Sequence, residues 1–531
     1  MVAQTCSICQ AEASKRCGGC HEVYYCGKEH QKLDWLRHRL VCKPFKVCED
    51  EVLGRHLVAT RDIKAGEVVL REGPLLQGPS QVTGPVCLGC LQAISQHNSE
   101  PCEKCGWPLC RKASCRHSKQ HLPECQWTVE KKKIPVKISH FISPHPSYEC
   151  ITALRMCYAR DNNPTLWAKL KSLQSHTEDR KDTQKYKEDT RSIAQFLRRF
   201  YKIEDEFTDT EIMDIWGVVQ VNGHEVPVSH PPHVAIYDLC SMVEHSCHPN
   251  CCKSFTNSGG IVLRAVDRIP AGGHLSICYT DSLWGTGNRQ YHLSDTKFFS
   301  CKCVRCVDPT ELGTYFSALI CEKSECRGPV LPENLCSVTS DTVWSCARCG
   351  LTMTDQQVED ILHQAGNELA SLASQEIQAS FRFLDHWSSR FHRNHYYLTE
   401  VGVALAQRLG QDGIQTLSNQ HLLAKTDLCR HLLELLAVIA PGECRLLGLI
   451  YFELHAAMAE RGRRGLLQGN MDLQQTLLES RSCLDKTIYF LDQEPDLLPE
   501  GKVLAQAKVN KAELDKTLQS VLSLTAGIPA M

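Results

Sequence analysis

The cysteines constrain this chain most, because most of its 32 cysteines fall into ordered sets. The first 45 residues carry Cys6-x2-Cys9, Cys17-x2-Cys20, Cys26, His30, His38 and Cys42. These are eight soft or borderline donors in four pairs, enough for two tetrahedral zinc ions. So short a segment buries little apolar surface, so metal binding has to supply most of its folding free energy. The opening MVAQTCSICQ has no apolar signal core, which predicts a reducing compartment and metal thiolates in place of disulfides. An internal repeat follows: Cys87-x2-Cys90, Cys102-x2-Cys105, Cys110, Cys115, His121 and Cys125, closing on the same H-x3-C as the first segment. It reads either as a second two-ion finger or as one zinc site with the remaining cysteines free. Further on, Cys301, Cys303 and Cys306 supply three thiolates and need a fourth donor from elsewhere. Cys321-x4-Cys326 and Cys346-x2-Cys349, with LPENLC between them, read as a zinc ribbon.

The rest of the chain narrows the class. At 531 residues it is too long for one core. With 59 basic against 61 acidic residues, no overall field favours nucleic acid or an anionic membrane. No apolar run approaches the roughly 20 residues that cross a bilayer, so a soluble protein of cytoplasm or nucleus is expected. The lysine run 131–133 reads as a solvated face. The stretch 54–76 reads as strands joined by a hairpin at Lys64-Ala65-Gly66. The stretch 261–281 reads as strand, turn and strand, ending on Tyr279-Thr280-Asp281. Between them stands EHSCHPN, 244–250, where Pro249 keeps the chain extended and Asn250 is suited to tie down the turn that follows. From about 355 the pattern changes to amphipathic helices broken at Pro441-Gly442 and Glu494-Pro495. They form either a plain bundle or a partner-binding groove.

The first segment, including DWLRH at 34–38, resembles the MYND zinc finger. In that family the pairs interleave, which implies Cys6, Cys9, Cys26 and His30 on one ion and Cys17, Cys20, His38 and Cys42 on the other. The repeat resembles a second, diverged MYND finger. The two strand phrases, EHSCHPN and FFSCKCVRC (298–306) together resemble the SET methyltransferase domain, and the inserted finger makes it the SMYD type, close to the arthropod SmydA branch. The implied fold is α+β and multidomain: a β-rich SET domain interrupted by a zinc finger, flanked by zinc modules, with a helical, tetratricopeptide-like C-terminal domain. Boundaries are expected at 1–46 for the first finger, 50–86 for the start of SET, 87–125 for the second finger and 126–215 for a helical insert. The SET core would run over 216–299, the post-SET cluster over 300–308, the ribbon over 315–354 and the helical domain over 355–531.

The resemblance implies methyl transfer from S-adenosylmethionine to a lysine of histone or non-histone protein. Tyr279 matches the catalytic tyrosine. Gly54, Arg55 and His56 occupy the place of a Gly-x-Gly cofactor loop, Asn222 matches a residue at the methionine end, and Ser241, Glu244 and His245 fall on the segment holding the rest of the cofactor. Cys247, threaded beneath the loop of Tyr279, would complete the set of Cys301, Cys303 and Cys306, for about six structural zinc ions in all. The fingers imply proline-containing peptide partners and the helical domain a chaperone or peptide contact. Neither a membrane nor a specific nucleic acid sequence is expected as partner. The runner-up reading is a scaffold without catalysis. Four positions depart from the family: His56 for glycine, Glu244 for asparagine, His274 for glutamate and Lys297 for a channel tyrosine.

Overall fold

The computed structural model describes residues 5–20, 23–39, 42–333, 342–372, 377–468 and 473–526; Cys336 of the LPENLC stretch lies outside the described residues. The strands Phe45–Asp50 and Gly54–Ala59 pair antiparallel along their whole length. Asp50 turns the chain between them by accepting from the N–H groups of Val52 and Leu53 at 2.8 and 2.7 Å, and Gly54 leaves the turn at φ +63, a conformation that costs a side-chain-bearing residue more.

The expected hairpin about Lys64-Ala65-Gly66 does not form. The strand Val68–Glu72 pairs with Ile261–Ala265, which pairs in turn with Cys251–Phe255. Residues 56–59 are buried without alternation, so their strand needs cover on both faces, which a lone hairpin does not supply. A third sheet orders Leu76–Pro79, His233–Ile236 and His224–Val226. Leu57, Ile63, Val69, Val243, Leu263, Leu275 and Ile277 meet in one core.

The insert packs helices Ile151–Asn162 and Asp209–Asn222 into a second core with Trp127 and Trp216. The second finger is built into this body. Trp107 and Leu109 pack beneath Tyr148 and Ile151, and Arg155 donates to Gln77 O, Leu88 O and Glu124, each at 2.8 Å. The lysine run is only partly solvated. Lys131 pairs with Glu206 and lies 5.0 Å over Trp127, and Lys132 lies 4.3 Å over Phe200; their stems cover aromatic surface while Lys133 stays exposed.

The ribbon is a four-stranded sheet in chain order, Leu319–Ile320 to Thr352–Thr354. Long helices follow, among them Asn419–Ile439, Cys444–Gln468, Leu473–Leu491 and Pro499–Ala526, with Pro441-Gly442 and Glu494-Pro495 in the connections. The helical region seats on the SET strands. Arg264 donates to Tyr489 O and Phe490 O at 2.9 Å, and Ser254 to Glu494 at 2.9 Å. A Cβ built on Gly442 would lie 2.6 Å from Pro249 Cγ, so only glycine lets this turn meet the 244–250 thread. No described helix is long and apolar enough to cross a membrane.

Candidate active site and metal clusters

The fold gathers the cysteine and histidine side chains into sets of four. Cys6, Cys9, Cys26 and His30 form one and Cys17, Cys20, His38 and Cys42 another, with all donor atoms of a set within 4.8 Å of one another. The second finger holds two such sets: Cys87, Cys90, Cys110 and Cys115, then Cys102, Cys105, His121 and Cys125. None of its eight donors is left over. Cys247 joins Cys301, Cys303 and Cys306, and in the ribbon Cys321 faces Cys349 and Cys326 faces Cys346, both at 3.6 Å. A tetrahedral ion with Zn–S near 2.3 Å sets sulfurs about 3.8 Å apart. Here they stand 3.7 Å apart for Cys9–Cys26, 3.8 Å for Cys90–Cys110 and 3.5 Å for Cys247–Cys306. These distances suit zinc and are far beyond the roughly 2.05 Å of a disulfide. Behind His121, Glu124 meets Nδ1 at 3.1 Å and is itself held by Arg155, the outer partner expected of a ligating imidazole.

The candidate active site lies where two distant segments run side by side. Glu244–His245 pairs in parallel with Ser276–Ile277, and the neighbouring Leu275 N–H bonds to Leu57 O at 2.9 Å. The 244–250 thread is thereby fixed beside the segment leading to Tyr279. Asn250 works across this junction and not in its own turn. Its Nδ2 donates to His274 O at 2.7 Å, and its Oδ1 accepts from Ser276 N at 2.9 Å.

His245 links this junction to the metal. Its Nδ1 accepts from the Tyr279 N–H at 3.0 Å, so the proton sits on Nε2, which donates to Cys247 Sγ at 3.2 Å. Tyr279 and Phe299 flank the imidazole with ring centroids 5.1 and 5.7 Å away. Burial lowers the pKa of His245, which keeps it a neutral relay. The Tyr279 hydroxyl donates to Val243 O, and burial, with Cys240 and Glu244 adding, raises the phenol above its ordinary value.

The other expected site residues surround this centre with different commitments. Asn222 ends its helix with Nδ2 donating to Gln174 O and Val218 O at 2.8 and 3.0 Å. Arg55 donates to Ser172 O at 2.6 Å in the same loop. Ser241 spends its hydroxyl on Tyr237 O at 2.7 Å. Glu72 holds the preceding turn by accepting from the N–H groups of Asp238 and Cys240 at 2.9 and 3.0 Å. Sequence reasoning passed over His224, which burial, with Lys253 and Lys297 nearby, holds at about 3. It also passed over Phe299, whose signal was the paired phenylalanine before Cys301.

Comparison with known proteins fits this arrangement. Residues 6–42 match the MYND finger and residues 54–280 the SET domain. The SET domain-containing protein SmydA-8, isoform B, of Drosophila melanogaster is 30% identical over 77% of this chain and 90% of that protein. The chain belongs to the SMYD family, in its SmydA-like branch. Among other SMYD relatives, the mouse histone-lysine N-methyltransferase SMYD3 is 27% identical over 48% of this chain and 59% of its own length.

Three of the four departures from the SMYD pattern touch one another. Glu244 meets His274 Nδ1 at 3.1 Å, and His274 stacks on His56 with centroids 4.7 Å apart. The ring of His56 is buried, its Nδ1 3.0 Å from Gly54 O and 3.8 Å from Asp50. The carboxylate of this group stands at 244, with imidazoles at 274 and 56 beside it. In this set Glu244 has His274 Nδ1 as its partner. Because the pair is part-exposed, a double-mutant cycle of Glu244→Gln and His274→Ala on unfolding free energy should give a coupling of about 0.2–1 kcal/mol. Strict additivity would mean that the contact carries no energy.

Proposed function

We propose that this chain is an S-adenosylmethionine-dependent protein-lysine N-methyltransferase acting on histone or other protein lysines. The observation that carries this reading is the relay from Tyr279 through His245 to Cys247 on the parallel strand pair. The residues fit the cofactor: His245, Tyr279 and Phe299 make an aromatic wall, Glu244 offers a carboxylate acceptor, and nothing lies within 4 Å of a Cβ built on Gly54. When bound, that cofactor supplies an electrophilic methyl on a sulfonium. Tyr279 stays a neutral phenol whose proton is given to Val243 O, so its remaining lone pairs face the site as acceptors. Lys253 and Lys297 set basic groups beside the same site, with the imidazoles of His224 and His292 held neutral nearby; the two amines disfavour a further ammonium and favour the neutral amine that the reaction needs. The naming of mouse SMYD3 as a histone-lysine N-methyltransferase agrees with this reading.

The six sets of four donors hold structural zinc under this proposal, and such free thiols suit the cytoplasm or nucleus. Recruitment of proline-containing peptides falls to the first finger. Its helix Lys28–His38 leaves Leu33 69%, Trp35 45% and Leu36 71% exposed, whereas Trp107 and Leu109 of the second are covered by the insert.

Replacing Tyr279 with phenylalanine should lower methyl transfer about 10²-fold, the scale of losing one oriented polar group at a reacting centre. Calorimetric affinity for S-adenosylmethionine should change far less. A native chain that fails to bind S-adenosylmethionine in the calorimeter would instead make the protein a scaffold.

A further inference from the structure

Lys297 is the one departure outside the histidine network, and its position is specific. It is the last residue of the helix Thr286–Lys297, which stops at Phe298 with φ +61. Its Nζ lies 5.9 Å from the centroid of the Tyr279 ring and donates to Val221 O at 2.6 Å. Val221 precedes Asn222, so the amine lies between the Tyr279 ring and the end of the helix that carries Asn222. Among the described residues no carboxylate comes within ion-pair distance of it. Its surroundings are of like or neutral charge: Lys253, the half-buried His224 and His292. The amine is held by a carbonyl and by the half-buried face of Tyr279.

We propose that Lys297 is an internal methyl acceptor, so that the chain presents its own amine to the site that modifies other proteins. The inference rests on the reading of the chain as a methyltransferase. The neutral amine attacks the cofactor's methyl, an N–C bond forms and the C–S bond breaks with its electron pair returning to sulfur. S-adenosylhomocysteine leaves, and the proton lost from nitrogen goes to solvent. Burial, with Lys253 adding, lowers the Lys297 amine to about 8. At pH 8 its neutral fraction is then on the order of 10² times that of an ordinary lysine near 10.4. Each added methyl enlarges the group beside Tyr279.

The test uses the full zinc-loaded chain and S-adenosylmethionine carrying an isotopically heavy methyl, read by mass spectrometry of the peptide bearing Lys297. The expected result is heavy methyl on Lys297, formed at a rate per molecule independent of protein concentration, reduced about 10²-fold in Tyr279→Phe and absent at this position in Lys297→Arg. A separate readout needs no cofactor. Competitive acetylation across pH should give Lys297 a midpoint near 8, and a midpoint at the ordinary lysine value would overturn the inference. So would heavy methyl on an added protein acceptor with Lys297 unmodified, or a rate that rises with protein concentration. If calorimetry finds no binding of S-adenosylmethionine and no lysine gains label, the methyltransferase reading falls and takes this inference with it.

Discussion

Replacing Cys247 with alanine should release one zinc per chain and abolish binding of S-adenosylmethionine, leaving the other five sets filled. Cys247 is fully buried, its sulfur 3.5 Å from Cys306 and 4.0 Å from Cys301. Three thiolates remain in the variant, one short of the closed tetrahedral set that structural zinc requires. Apparent binding free energies of structural zinc run to about 10–16 kcal/mol in small fingers, so losing even part of one exceeds most single contacts. The consequence reaches the active site because Cys247 also receives the Nε2–H of His245, whose Nδ1 orients Tyr279. Only two residue pairs, Glu244–Ser276 and His245–Ile277, form the parallel ladder that the metal pins, too little to hold the thread by itself. Zinc counted by mass spectrometry should fall by one per chain in Cys247→Ala and stay unchanged in Cys48→Ala, whose thiol belongs to no set. Retention of full zinc and full affinity in Cys247→Ala would remove the metal from the architecture of the site.

What the sequence made legible follows the range of the interactions. Cys-x2-Cys pairs and the H-x3-C closures place donors within a turn or two of each other, so ligand pairs could be read from spacing, their interleaving into sets came from family resemblance, and in the second finger it is the fold that gathers all eight donors into two sets. The fourth partner of Cys301, Cys303 and Cys306 was legible through family resemblance alone, because Cys247 lies 54 residues before Cys301 and spacing does not reach that far. The hairpin at Lys64-Ala65-Gly66 failed for a related reason. Turn chemistry is local, whereas burial of 56–59 on both faces is decided by strands that arrive 200 residues later. Asn250 was expected to serve the turn that follows it and serves His274 and Ser276, since the parallel pairing of 244–245 with 276–277 brings those backbone groups beside it. Glu244, His274 and His56 read in the sequence as separate departures from the family. They become one arrangement only when the parallel register sets 244 beside 276 and brings His274 against both.

Glu311→Gln should cost about 3–5 kcal/mol of unfolding free energy, the scale of breaking a buried ion pair from one side. The carboxylate is fully buried and accepts from Arg305 Nε at 2.8 Å, from both Arg289 terminal nitrogens at 3.2 Å and from the Ser317 hydroxyl. Two guanidiniums against one carboxylate would leave a charge unbalanced. A zinc ion with four thiolates supplies the missing negative charge, and Arg289 Nη2 reaches Cys306 Sγ at 3.7 Å. Arg305 also donates to Ser282 O at 2.8 Å and Ile439 O at 3.0 Å, so the cluster joins the metal site, the loop after Tyr279 and the C-terminal helices. Burial pushes the Glu311 carboxyl up, but Arg305 and Arg289 outweigh it and hold the group below its usual range. A lowered folded value means that the contribution is complete above the unfolded carboxyl pKa of about 4.3 and is lost as pH falls through the folded value. Urea unfolding of native chain and Glu311→Gln should therefore differ most at neutral pH, and the gap should narrow below about pH 4. A variant within about 1 kcal/mol of the native chain at pH 7 would mean that the two arginines are balanced by the thiolates alone.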